Sequence, residues 1–169
     1  MNNSVYKMLT EGWPKVNKQA SNPQLVRALF SAYGGRDSEL TLLNQYLYQA
    51  MVLREQNNMF LSELFDAAAN DQMQHIRHLG RLICRYGGEP RFISYIGGRG
   101  ISWSSGNIYY EKNADRMLEK SILCERQVLR QYKSILNSNI LDNEPKQLIE
   151  RIIKDNEHHI NLFNTALNS

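Results

Sequence analysis

The sequence predicts an all-α protein, a four-helix bundle made of two helix hairpins with a long crossover between helices 2 and 3. Three observations predict it. Apolar residues recur at helical spacing, and alternating runs bounded by turns are missing. Glycine, proline and polar breaks cut the chain into four long periodic stretches, with short links on either side of one long middle link, residues 87–111. The halves also repeat: residues 39–46 read ELTLLNQY and residues 125–132 read ERQVLRQY, both Glu-x-x-x-Leu-x-Gln-Tyr.

The elements follow in order. Residues 1–22 read as an irregular or partly helical leader, and Asn22-Pro23 starts a short helix that ends at Gly34-Gly35. Residues 1–35 are therefore an N-terminal extension packing on the bundle, and residues 36–169 are the bundle itself. The first long helix spans about 37–56 with Asp37 or Ser38 as its N-cap. The second spans about 58–86 and stops at Gly87-Gly88 and Pro90. The Gly-, Ser- and aromatic-rich residues 87–111 form the connection that lets the third helix, about 113–137, run parallel to the second. The fourth runs to about 167, with Asp142 or Asn143 as its cap and Pro145 in its first turn.

Core positions in a bundle alternate in steps of four and three. The resulting seams are apolar, with Leu61, Phe65, Ala68, Leu79, Leu82 and Tyr86 on the second helix and Ile149, Ile152 and Phe163 on the fourth. One level breaks the pattern. There the four seams carry Glu39, Gln72 with His75, Glu125, and Asn156 with His159. Asp71 and Asp155 precede that seam by one residue, about 100° round their helices. Tyr46 and Tyr132 follow their glutamates by two turns and read as core residues hydrogen-bonded to the polar layer. Buried carboxylates and imidazoles need partners or a metal.

Composition excludes several classes. The 169 residues carry a net charge of +3, with no basic cluster interleaved with aromatics, so nucleic acid is not an expected partner. No apolar run approaches a membrane span, and MNNSVYKMLTEGWPK lacks a signal-peptide apolar region. Cys84 and Cys124 stand alone, so they read as buried thiols in a reducing cytoplasm. His78 lies off the seam and is expected to face solvent. His158 adjoins His159 and points elsewhere. GGRG at 97–100 follows no predicted strand and lacks a phosphate-loop lysine.

The stretches SELTLLNQYLYQ, QMQHIRHLGRLICRYGGEPRF, CERQVLRQY and RIIKDNEHHINLF resemble the ferritin-like superfamily, particularly its small bacterial rubrerythrin-like and manganese-catalase-like members. The resemblance covers roughly residues 36–167. It implies a ferritin-like bundle in which helices 1 and 3 each give a terminal glutamate, and helices 2 and 4 each give Glu-x-x-His around two iron or manganese ions. Glu39 and Glu125 match the terminal carboxylates, and His75 and His159 match the histidines. Gln72 and Asn156 occupy the bridging positions, where the family has acids.

That departure has a magnitude. Two divalent ions about 3.5 Å apart repel by roughly 20 kcal/mol at an effective dielectric near 20. Bridging anions normally offset this, and an amide brings only a dipole. The expectation is one divalent ion on Glu39, His75, Glu125 and His159, with Gln72, Asn156, Asp71 and Asp155 as weaker candidates. Asp71 or Asp155 would serve a second ion only if its helix rotated or bulged. The resemblance implies a metal-binding redox protein acting on a small oxidant, peroxide or oxygen. It is expected to be cytoplasmic and a homo-oligomer, a dimer. The competing expectation is a non-catalytic structural or assembly member with a metal-free polar layer. The Cys-rich iron module for electron delivery is absent from this sequence.

Overall fold

The computed structural model describes residues 8–169, and the part of the expected leader at residues 1–7 lies outside the described residues. The rest of the leader, up to Asn22, has no regular helix. The helices are α1 (Pro23–Gly34), α2 (Glu39–Glu55), α3 (Met59–Arg85), α4 (Ala114–Leu136) and α5 (Asn143–Leu167). A small antiparallel pair, β1 (Ile93–Ile96) and β2 (Arg99–Ser102), lies in the crossover.

Local chemistry sets these limits. Asn22, Ser38, Asn58 and Asn113 each accept a backbone N–H from the first turn of the helix they precede. The α3 helix ends where Gly87 takes φ +86 and the Gly88 N–H bonds the Ile83 carbonyl at 2.9 Å. The hairpin corrects the reading of residues 87–111 as a plain connection. Gly97 and Gly98 have φ +56 and +82, the two positive values of a type I′ turn, so Gly-Gly here closes a hairpin. Its strands expose Ile96 and Ile101, which removed the alternating pattern that marks a strand from sequence.

The α2–α3 and α4–α5 hairpins close on each other, with α2 also against α4 and α3 against α5. The seam residues named from the sequence lie inside: Leu61, Phe65, Ala68, Leu79, Leu82, Tyr86, Ile149, Ile152 and Phe163 are all buried. The crossover is pinned by the Gln45 amide, which donates to the Tyr109 carbonyl and accepts its N–H, each at 3.0 Å. Trp103 Nε1 donates to Thr41 Oγ1 at 2.8 Å.

The crossover also rests on α1. A Cβ added at Gly34 would stand 2.8 Å from the Phe92 Cα, a backbone atom that cannot swing aside. Gly34→Ala is expected to cost about 2 kcal/mol by overpacking, a fall of roughly 4–8 °C in melting temperature for a chain of this size. An unchanged melt would show that Phe92 is not seated there.

The two thiols are corrected: Cys84 is exposed and Cys124 partly covered, with burial pushing the Cys124 thiol up to about 11. Among the described residues no helix is long and apolar enough to cross a membrane.

Candidate polar centre in the bundle core

The level at which the seams turn polar is a buried layer. Glu39, Gln72, His75, Glu125, Asn156 and His159 are each 0% exposed. Each stands on a helix seam flanked mainly by buried apolar residues, so packing above and below fixes its place. The bundle brings these side chains together as two related halves.

In the first half, His75 Nδ1 lies 3.1 Å from Glu39 Oε2 and 3.0 Å from Gln72 Oε1. Its Nε2 lies 3.1 Å from Asp155 Oδ2. In the second half, His159 Nδ1 lies 3.1 Å from Glu125 Oε1, and its Nε2 lies 3.1 Å from Asp71 Oδ2. The aspartates sit off the seams, as their positions in the sequence required. Each reaches the far nitrogen of the opposite hairpin's histidine. A carboxylate on the outer nitrogen fixes ring orientation and leaves Nδ1 aimed inward.

The tyrosines cross between halves. Tyr132 donates to Glu39 Oε1 at 2.6 Å and Tyr46 to Glu125 Oε1 at 2.7 Å. Burial first, then the neighbouring glutamate, pushes both hydroxyls well above the ordinary range, so both stay protonated donors.

The amides break the symmetry. The carbonyl end of Gln72 faces His75, while its NH2 end donates to Glu125 Oε1 at 3.1 Å and lies 3.5 Å from His159 Nδ1. Asn156 Nδ2 donates to Glu39 Oε1 at 3.4 Å. Glu125 Oε2 and Asn156 Oδ1 are buried acceptors with no partner among the described residues. Nor, among those residues, do three His, Cys, Asp or Glu side chains gather as ligands of one ion. Glu39–His75 and Glu125–His159 stand as two pairs.

The outer ends differ too. Asp155 is 2% exposed and paired with Arg151, whose guanidinium lies 4.8 Å over the Trp13 ring. The side chain of Asp71 is 23% exposed. The first half is therefore sealed by the N-terminal segment, and the second reaches the surface. Sequence reasoning missed Arg151 and Trp13. Arg151 stands one turn before Asp155, a spacing that could have flagged the pair, whereas Trp13 had no sequence signal. His78, expected to face solvent, is partly covered and stacks on Trp13 with centroids 4.2 Å apart.

Electrostatics follow from this packing. Burial alone lowers an imidazole pKa. Glu39 and Asp155 outweigh it and hold His75 at about 9, and Asp71 and Glu125 hold His159 at about 10. Burial pushes Glu125 up against the pull of His159 and Tyr46. With three donors facing its Oε1, the ionised carboxylate beside a charged His159 is the favoured state. Asp155 stays low: burial raises it, but His75 and Arg151 more than compensate.

Both histidines are thus imidazolium at neutral pH when no metal is present. Their folded pKa values exceed the ordinary 6.5, so the stability they contribute is fully present below about pH 6.5 and is lost as pH rises through about 9 to 10. Histidine ring resonances of chelator-treated protein should stay imidazolium-like to pH 8, and its melting temperature should decline from pH 7 to 10. Two rings titrating near 6.5 would contradict this arrangement.

A model of the ferritin-like domain matches residues 37–169. A search of curated sequences finds no match. Among solved structures, the manganese catalase KatB from Anabaena is similar at TM-score 0.82, with 21% identity over 95% of this chain and 78% of that one. The Desulfovibrio desulfuricans bacterioferritin, described with a diiron site, gives 0.73 with 21% identity over 86% and 78%. Mycobacterium tuberculosis bacterioferritin BfrA gives 0.74 with 22% identity over 89% and 87%. At such identities these likenesses speak for the fold, and with the domain match across most of its length this chain belongs to the ferritin-like family.

Proposed function

We propose that this protein binds one divalent metal ion, iron or manganese, in the first half of the layer, and that its second half is closed without metal. The observation that carries this reading is at His75 Nδ1. One ring nitrogen can donate one hydrogen, yet two oxygens face it at 3.0 and 3.1 Å. Those separations suit adjacent ligands on one ion, which stand roughly 3 Å apart when each bond is about 2.1 Å. Glu39, His75 and the Gln72 carbonyl supply the donors, and Asp155 holds the His75 ring from behind.

The second half offers no equivalent place. The Gln72 NH2 group faces both Glu125 and His159, so a neutral donor and an imidazolium meet the Glu125 charge there. A dinuclear centre does not fit these residues, because neither amide supplies the anion that two adjacent cations require.

Iron and manganese are the metals named for the similar structures, a manganese catalase and a diiron bacterioferritin. Such an ion, when bound, supplies redox chemistry toward peroxide or oxygen. This chain's own residues orient it: Tyr132 holds Glu39, and Asp155 keeps the Nε2 proton so that Nδ1 is the nitrogen released. Binding displaces the Nδ1 proton, so affinity should rise about tenfold per pH unit below about pH 9. Exposed Leu47 and Met51 on α2 support the homo-oligomer, and the two free thiols a cytoplasmic setting.

The alternative reading is a metal-free structural member of the family. It is favoured by carboxylates on both nitrogens of both histidines, which let two protons do the work of cations. Elemental analysis of protein expressed with manganese or iron separates the two. About one ion per chain is expected, and none would leave the structural reading standing. Gln72→Glu with Asn156→Glu should then raise the content to about two, since the first acid matches the amide in shape, the second adds one methylene toward the layer, and both restore bridging charge. A folded double variant that binds no more metal than the parent would remove the assignment of those positions.

A further inference from the structure

Outside the polar layer, residues 13–17 and α3 enclose a recess of about 350 Å³ lined by Trp13, Pro14, Lys15, Val16, Asn17, His78 and Arg81. Its size is at the lower end for small-molecule sites. Its charge is one-sided. Lys15 and Arg81 line it, no carboxylate does, and neither cation forms an ion pair among the described residues. Other cations of the same region are paired: Lys18 with Asp142, Lys154 with Glu11, and Arg151 with Asp155.

The segment that leaves the recess at Asn17 is anchored. Ala20 and Asn22 donate backbone bonds to the Arg85 and Tyr86 carbonyls, Arg85 bonds the Asn17 carbonyl at 2.8 Å, and Glu144 accepts the Asn17 and Lys18 N–H groups. The Trp13 ring stacks on His78 and carries Arg151 over it. It is a wall already in use, which leaves no platform for a nucleobase. Around His78 the field is positive: burial first, then His75, Arg81 and Arg151, lower its pKa.

We infer that this recess binds a small phosphate-bearing anion, held by Lys15 and Arg81 beside the His78 ring. Lys15 and Arg81 are both exposed, and their two single charges match a phosphate dianion, to which a guanidinium offers two parallel donors. The recess shares Trp13 with the cover over Asp155, so an occupant fastens the N-terminal segment where it seals the first half of the layer.

The test uses the full chain at constant ionic strength, titrated with inorganic phosphate and separately with glycerol phosphate. Calorimetry reads binding to the unaltered chain, and Trp13 fluorescence reads it in a Trp103→Phe background. A saturable isotherm with a dissociation constant of about 1 mM or lower is expected. Lys15→Gln and Arg81→Gln should each weaken it roughly tenfold or more. Tighter binding of glycerol phosphate identifies a monoester as the natural ligand, and equal binding identifies free phosphate. Absence of saturation by about 20 mM for both probes, or binding unaffected by either substitution, overturns the proposal.

Discussion

Manganese or ferrous ion added to chelator-treated protein at pH 8 should raise its melting temperature by roughly 5–10 °C. An ion present at about 100 times its dissociation constant stabilises by roughly 2.7 kcal/mol, and a chain of this size shifts by about 2–4 °C per kcal/mol. The variants should respond unequally. Glu39→Gln keeps an acceptor for the Tyr132 hydroxyl but removes the negative donor beside His75, so it should abolish the shift. Glu125→Gln alters the half already closed by the Gln72 NH2 group and should leave most of it. Lowering the pH to 6 should shrink the parent's response, because the proton on His75 Nδ1 competes with the ion. Identical parent melts with metal and with chelator would remove the metal-binding reading. Equal losses in the two variants would remove its asymmetry.

Arg151→Met should destabilise the protein by about 3 kcal/mol, roughly 6–12 °C in melting temperature. Arg151 and Asp155 are 6% and 2% exposed. The guanidinium also bonds the Glu11 carbonyl and lies over Trp13, so its loss leaves a buried carboxylate facing His75 alone and loosens the N-terminal cover. Methionine keeps most of the volume, which isolates the charge. Adding Asp155→Asn should recover part of the loss, because the unpaired charge disappears while the amide oxygen still accepts from His75 Nε2. A double variant no better than the single would assign the loss to packing against Trp13. A single variant melting with the parent would show that the pair contributes nothing.

The sequence by itself determined the bundle and the composition of its polar layer. Steps of four and three put Gln72, His75, Glu125, Asn156 and His159 on apolar seams, and burial follows from that periodicity because a helix turns side chains inward at fixed intervals. The Glu-x-x-x-Leu-x-Gln-Tyr repeat likewise set Glu39 and Glu125 level with each other. What the periodicity could not contain was direction across the bundle. Asp71 and Asp155 lie off the seams, and only the packing of one hairpin on the other carries each to the opposite histidine. The orientation of Gln72, carbonyl toward His75 and NH2 toward Glu125, depends on which groups flank it in space, and it makes two matching half-sites chemically unequal. The hairpin at residues 93–102 rested on a Gly-Gly turn whose strands show little apolar alternation. Trp13 is the clearest case of tertiary determination. A tryptophan in an irregular leader carries no periodic signal, and its place over His78 and Arg151 comes from backbone bonds that tie residues 17–22 to α3 and α5. Periodicity reports how deep a side chain lies, whereas contacts between distant segments decide what it meets there.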